Sequence, residues 1–205
     1  MTLGPEYFAH LYESGDDPWR LATRWYERRK YDLTVAALPA EHYRSGLEVG
    51  CSVGVLTASL APRCDRLLAV DTAERAVDIA EERTQHFQGV SVQRRTLPAD
   101  WPAGHFDLIV LSEVGYYFAE ADLQRLLELS SAALYPGGTL VAVHWRHPVA
   151  EYPRGGDEVH QTLTQRAADL GLVRTVRHEE LDFQLEIYLR TPPDARSVAQ
   201  QTGLA

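Results

Sequence analysis

Residues 47–54 read Leu-Glu-Val-Gly-Cys-Ser-Val-Gly, and the next apolar run, Arg66-Leu67-Leu68-Ala69-Val70-Asp71, closes on an acid. Strand, glycine turn, helix, strand, acid is the order in which an α/β protein builds a pocket for a nucleoside-bearing ligand at the ends of parallel strands. Gly50 and Gly54 admit turn dihedrals closed to other residues and let backbone approach a ligand with no Cβ in the way. Asp71 then falls where it can hold the two ribose hydroxyls.

The spacing argues against a dinucleotide. That fingerprint is G-x-G-x-x-G, with the pyrophosphate seated on a helix N-terminus. Here the pattern is acid-x-Gly-x-x-x-Gly, with Ser52 where a middle glycine would stand and Glu48 ahead of Gly50. No pyrophosphate cradle is evident. An acid beside the turn suits a ligand with a cationic end, and S-adenosylmethionine carries both an ammonium and a sulfonium. The pattern resembles motif I of class I S-adenosylmethionine-dependent methyltransferases, with Glu48, Gly50 and Gly54 on the matching positions and Asp71 on the ribose acid.

The elements that must position these residues alternate. Asp16-Asp17-Pro18-Trp19 is a helix start signal, and apolar residues at helical spacing continue to Leu38 before Pro39, predicting a cap helix over about 17–38. Strands are expected at 47–50, 66–71, 90–96, 106–111, 139–145, 172–176 and 183–189, and helices at 55–60, 73–86, 121–134 and 157–170. The run from Phe106 to Leu111 is apolar almost throughout, as expected of a central parallel strand covered on both faces. The last two strands are close enough in sequence to pair as an antiparallel edge. A mainly parallel sheet follows, with ligands beyond its C-terminal strand ends. Gly50 to Gly54, Asp71, Thr96-Leu97, Ser112-Glu113 and the histidines from His144 all follow strand ends and should face one crevice.

Composition sets bounds on this reading. A chain of 205 residues is expected to form one domain, over residues 1–191, with a flexible tail over 192–205; a chain this long buries roughly 70% of its unfolded surface. A net charge of -9 argues against nucleic-acid partners, whose recognition rests on clustered Lys and Arg. No apolar run approaches bilayer length and the first residues lack a secretory pattern, so no membrane association and a cytoplasmic location are expected. Two cysteines, Cys51 and Cys64, fit a reducing compartment, with Cys51 a small packing residue in the turn.

Two further segments extend the resemblance. Phe106-Asp107-Leu108-Ile109-Val110-Leu111-Ser112-Glu113-Val114 resembles the motif after strand four of class I methyltransferases, and Leu134-Tyr135-Pro136-Gly137-Gly138-Thr139-Leu140 resembles their turn before strand five. Within that superfamily, Trp25-Tyr26-Glu27-Arg28-Arg29-Lys30, Leu47-Glu48-Val49-Gly50-Cys51 and Ser112-Glu113-Val114-Gly115-Tyr116-Tyr117 look most like the nodulation protein S (NodS) family. Those enzymes N-methylate the free amine of a deacetylated chitooligosaccharide. The resemblance implies a Rossmann-like three-layer α/β sandwich, with a seven-stranded, mostly parallel sheet, one antiparallel strand and an N-terminal helix over the cofactor site.

It also implies roles. Arg28 is expected near the methionyl carboxylate, Glu48 and Gly50 at the amino side, Asp71 on the ribose and Leu97 against adenine. Thr96 stands where such enzymes often have an acid, so a hydroxyl takes over the adenine contact. Cys51, Ser52, Gly54, Thr72 and Ser112 complete the expected cofactor lining. The ionisable set after strand five, His144-Trp145-Arg146-His147-Pro148 onward, departs from the NodS pattern and puts the oligosaccharide acceptor in question.

Methyl transfer from a sulfonium needs alignment in a dry pocket and an amine that has lost its proton. The candidate proton acceptors are His144 first, then Glu113, then His147, with Tyr116, Tyr117 and Trp145 expected around the acceptor. His144, His147, His160, Asp157 and Glu158 include zinc-type ligands, but their spacing fits no known pattern and no metal is expected. The expected function is N-methylation of a small-molecule amine such as a deacetylated amino sugar or oligosaccharide, leaving S-adenosylhomocysteine. A small-molecule O-methyltransferase and a non-catalytic S-adenosylmethionine-binding protein are the alternatives. The chain is expected to act as a monomer or homodimer, with Tyr7, Phe8 and Tyr12 either lidding the pocket or contacting a second subunit.

Overall fold

The structure, a computed structural model, describes residues 1–191 and 197–204. Seven strands form one sheet in the order β3-β2-β1-β4-β5-β7-β6. They are β1 (Gly46–Val49), β2 (Leu67–Asp71), β3 (Val90–Arg94), β4 (Phe106–Ser112), β5 (Leu134–Trp145), β6 (Leu172–Glu179) and β7 (Phe183–Arg190). All neighbours from β3 to β5 run parallel, and β7 is antiparallel to both β5 and β6. This is the mostly parallel sheet with one antiparallel strand that the resemblance implies.

Side chains alternate across β4, and the two faces feed different packing layers. Ile109 and Leu111 pack with Leu123, Leu126 and Leu127 of α5 (Glu120–Ala133) and with Val159 and Leu163 of α6 (Gly156–Arg166). Leu108 and Val110 pack with Tyr31 of α2 (Trp25–Ala37) and with Leu56 and Leu60 of α3 (Val55–Leu60). On that same face Val77 and Ala80 of α4 (Glu74–Thr84) rest on Ala69 and Val92. Covered on both sides, β4 is the buried run that its apolar sequence predicts. The link from β3 to β4 carries no helix.

Two differences concern the N-terminal region. A helix, α1 (Pro5–Glu13), precedes everything the sequence pattern marks; Pro5 stands in its first turn, and Phe8 and Tyr12 face inward. The Asp16-Asp17-Pro18-Trp19 signal does cap backbone, since the Asp17 carboxylate accepts the amides of Leu21 and Ala22 at 2.8 and 2.9 Å. It caps only a turn, because Arg20 adopts φ +59 and breaks the helical path. The cap helix therefore starts at Trp25 rather than near residue 17.

Smaller differences lie elsewhere. β5 begins at Leu134, which pairs with Phe106 across a register shift, and α6 stops at Arg166. In the region expected as a tail, residues 192–196 and 205 lie outside the described residues, while Val198–Gln201 forms a one-turn helix, α7. Among the described residues no helix is long and apolar enough to cross a membrane.

Candidate active site

The C-terminal ends of β1, β2, β4 and β5 open into one cavity of about 470 Å³, roofed by α1 and the first turns of α2. Its floor is the glycine turn after β1. Gly50 (φ +70) and Gly54 (φ +75) hold left-handed conformations, and a Cβ on Gly54 would stand 2.9 Å from Cα of Ala80, so the turn needs glycine for conformation and for helix packing. Ser52 between them is also left-handed (φ +47), and its hydroxyl shares a 2.7 Å hydrogen bond with Tyr12 of α1.

Asp71 closes this half. Its carboxylate accepts the amides of Ser52 and Ala73, each at 2.9 Å, and burial raises its pKa against the pull of those amides. Each oxygen keeps lone pairs for a diol. Glu48 lies deeper, 2% exposed, and its Oε2 has no hydrogen-bond partner among the described residues. With no cation beside it among the described residues, burial pushes its pKa up to about 8. A buried acceptor without a donor, beside a second, half-buried carboxylate, fits the ammonium and ribose of S-adenosylmethionine. Cys51, Thr72, Thr96, Leu97 and Ser112 line the same half, with the Thr72 and Thr96 hydroxyls 2.8 Å apart. Gly54 lies beneath the turn rather than on the cavity wall.

The other half is built around Glu113, which follows β4 with φ +58, an unfavourable backbone conformation for a glutamate. Its Oε1 accepts from Lys30 Nζ at 2.6 Å, and its Oε2 accepts from the Tyr116 hydroxyl at 2.5 Å and the Trp145 amide at 3.0 Å. Lys30, 2% exposed, also pairs with Glu27 at 2.8 Å and lies 5.1 Å from the Tyr26 ring centroid. Burial works against its charge, but Glu113 and Glu27 more than offset that and raise its pKa. Aromatic rings wall the space: Tyr116 stacks on Tyr152 at 5.0 Å, and Tyr117 meets Tyr152 and Phe8 edge-on at 4.8 and 4.9 Å.

The two histidines expected to take a proton are not in the cavity. His144 sits on the β5 face covered by α6, with no exposed surface. Its Nε2 accepts the Gly115 amide at 3.0 Å, and its Nδ1 faces His160 Nε2 at 3.2 Å. His160 Nδ1 in turn lies 2.9 Å from Glu186, which also receives Tyr188 and Arg174. One tautomer set satisfies the whole chain: His144 Nδ1–H donates to His160, and His160 Nδ1–H donates to Glu186. Burial, reinforced by His160 and Lys30, holds the His144 pKa well below its ordinary value. Its acceptor nitrogen is used, so His144 cannot take a proton from a ligand. His147 is exposed and pairs with Asp182 at 2.7 Å. Arg28 is exposed on α2 outside the cavity, whereas Arg24, one turn earlier, lines it.

The remaining ionisable groups after β5 disperse. Asp157 pairs with Arg146 at 2.7 Å and Glu158 accepts the Gly155 amide at 2.7 Å at the start of α6. Among the described residues no three His, Cys, Asp or Glu side chains gather as a metal site.

The family model of nodulation protein S (NodS) matches residues 11–151. The chain belongs to the NodS family. Nodulation protein S of Rhizobium tropici is 33% identical over 130 residues, which cover 62% of this chain and 55% of that protein. That of Bradyrhizobium diazoefficiens is 33% identical over 128 residues, covering 62% of this chain and 61% of the relative. The matched stretch thus spans little more than half of these relatives. Among solved structures, NodS N-methyltransferase from Bradyrhizobium japonicum WM9 in complex with S-adenosylhomocysteine superimposes with a TM-score of 0.77 at 27% identity, covering 91% of this chain and 98% of that one. A Pseudomonas syringae protein classed provisionally as a methyltransferase is 46% identical with a TM-score of 0.72, covering 82% of this chain and all of that one.

Within this NodS-family site the sequence pattern missed Lys30, Glu27, Tyr26 and Tyr152, all of which line the cavity, whereas Tyr12, expected as a lid or subunit contact, lines it too. Glu27 and Lys30 looked like members of a solvated charged run, and only the inward face of α2 separates them from Arg28. A signal did exist: Tyr26, Glu27, Lys30 and Tyr31 recur at helical spacing and mark one buried stripe.

Proposed function

We propose that this chain is an S-adenosylmethionine-dependent methyltransferase that methylates the amino group of a small molecule. The observation that carries the reading is one cavity with two chemically different halves. One holds the carboxylates Asp71 and Glu48 around a glycine turn; the other holds Glu113 among aromatic rings. Family membership and the likeness to an S-adenosylhomocysteine-bound N-methyltransferase support the same cofactor.

S-adenosylmethionine, when bound, supplies a methyl on a sulfonium, passed to nitrogen as the carbon–sulfur bond breaks and S-adenosylhomocysteine is left. Asp71 accepts from the ribose hydroxyls, and Glu48 meets the methionyl ammonium. Leu97 and Thr96 flank the base, and of the two arginines on the cavity wall, Arg24 and Arg95, it is Arg24, without an ion pair among the described residues, that meets a carboxylate in place of Arg28.

Glu113 is the residue that receives the acceptor. Three donors already fix its carboxylate, so it is preorganised and needs no rotamer search when an amine arrives. It holds the amine and accepts the proton that nitrogen gives up as the new bond forms. Tyr116, Tyr117 and Trp145 exclude water around it. Amino sugars are within the acceptor class. The test is calorimetric titration of S-adenosylmethionine, followed by mass spectrometry of a panel of amines and alcohols for the gain of one CH₂ unit. Tight cofactor binding with gain on amines is expected; gain on alcohols alone would replace the amine reading.

A further inference from the structure

The aromatic half of the cavity restricts what the acceptor can be. Glu27 and Glu113 bring two carboxylates to the single ammonium of Lys30, so this buried cluster carries an unmatched negative charge. An ionised carboxylate offers about four acceptor sites, and Glu113 spends three of them, on Lys30, Tyr116 and Trp145. One lone pair is left for a ligand donor. Around it stand the rings of Tyr116, Tyr117, Tyr152 and Phe8, whose faces, unlike their edges, attract cations.

Two covers narrow this half, and both are stapled to the loop after β4. From the N-terminal side, the Leu3 amide donates to the Tyr117 carbonyl at 2.9 Å and the Thr2 hydroxyl accepts the Ala119 amide at 2.9 Å while donating to Asp122. From the β5–α6 side, Arg154 donates to the Phe118 carbonyl and pairs with Glu120, each at 2.9 Å. The whole cavity is about 470 Å³, toward the small end of ligand sites, which span roughly 300 to 1,000 Å³. Once a nucleoside with an amino-acid tail fills the Asp71 half, only a small group fits beside Glu113.

We propose that the acceptor is a compact amine that enters as its ammonium, with one N–H on the spare lone pair of Glu113 and its apolar body against Tyr117, Tyr152 and Phe8, that it passes this proton to Glu113 before the freed nitrogen lone pair takes the methyl, and that oligomeric amino sugars are excluded. This rests on the assignment of the Asp71 half to S-adenosylmethionine. It narrows the acceptor by size and charge, and in size it departs from the chitooligosaccharide to which the family resemblance points.

The experiment is isothermal titration of the protein, with and without S-adenosylhomocysteine, using benzylammonium, benzyl alcohol and fully deacetylated chitotetraose as probes. Benzylammonium is expected to bind at least roughly tenfold tighter than benzyl alcohol, the order set by a charge-assisted hydrogen bond and a cation–π contact. The gap should close in Glu113→Gln, and chitotetraose should not bind. Equal affinity for the alcohol, tighter binding of the tetramer, or no binding of benzylammonium in either state would overturn the proposal. If Glu113→Gln does not fold, Tyr152→Leu serves, with benzylammonium affinity falling and S-adenosylhomocysteine affinity kept. Failure of S-adenosylhomocysteine to bind counts against the cofactor assignment alone, because the ammonium preference is still read on the free protein.

Discussion

The amide of Gly115 donates a 3.0 Å hydrogen bond to Nε2 of His144, so the loop that carries Glu113 and Tyr116 is fastened to β5 by a histidine that lies outside the cavity. Behind it His160 and Glu186 complete a buried chain with no spare acceptor on either imidazole. The chemistry of the site thus depends on His144 through backbone position and not through proton transfer.

His144→Ala should leave the Gly115 amide and Nε2 of His160 without partners. We expect a stability loss of about 1–3 kcal/mol for each buried group left unsatisfied, measured by urea denaturation, and a fall in turnover with S-adenosylhomocysteine affinity retained. The same chain predicts an acid sensitivity. The folded-state pKa of His144 lies well below its ordinary 6.5, so below that pH the unfolded chain takes up a proton that the folded one refuses. Stability should fall on acidification below about pH 6.5, by up to about 1.4 kcal/mol per pH unit from this group. A flat melting temperature from pH 7 to pH 5 would contradict it.

Glu48 makes an opposite prediction. Its pKa of about 8 without a ligand means that it is largely protonated at neutral pH, and a cation placed against it lowers that value. Cofactor binding at pH 7 should therefore release a proton, and affinity should rise with pH until Glu48 ionises unaided. Calorimetry in buffers of different ionisation enthalpy reads the proton count, which should vanish in Glu48→Gln.

The charged run on α2 shows how far the sequence could be read. Strand positions, the glycine turn, Asp71 and Glu113 were legible because glycine spacing, apolar runs and strand-end acids are local signals. His144 was misread because its residue type suggests proton chemistry, while its burial under α6 is decided by the packing of a helix that begins at Gly156. Arg28 and Lys30 are close in one charged segment, and only the start of α2 at Trp25 determines which of them points inward. The helix at Pro5–Glu13 lacked a conventional cap, and its stability comes from aromatic contacts with Tyr117 and Trp19 that no local pattern encodes.

Lys30 is the strongest candidate for a buried charge that the fold depends on. Lys30→Met leaves Glu27 and Glu113 facing each other without a cation, and a loss of about 3–5 kcal/mol is expected. Adding Glu113→Gln to Lys30→Met should recover part of it in a double-mutant cycle, whereas additive losses would show that the two side chains do not interact.

Asp71→Ala should weaken S-adenosylmethionine binding by roughly tenfold or more, the order of one charge-assisted hydrogen bond at about 1.5–3 kcal/mol. Unchanged affinity by titration calorimetry would remove the ribose contact from the account.

The most direct test follows a labelled methyl group. Protein given S-adenosylmethionine with a deuterated methyl and a small amine should yield a product carrying the label on nitrogen by tandem mass spectrometry. One S-adenosylhomocysteine should form per label, and product formation should be lost in Glu113→Gln while the cofactor still binds. Label on oxygen, or a bound cofactor that delivers its methyl to no amine, would contradict the account.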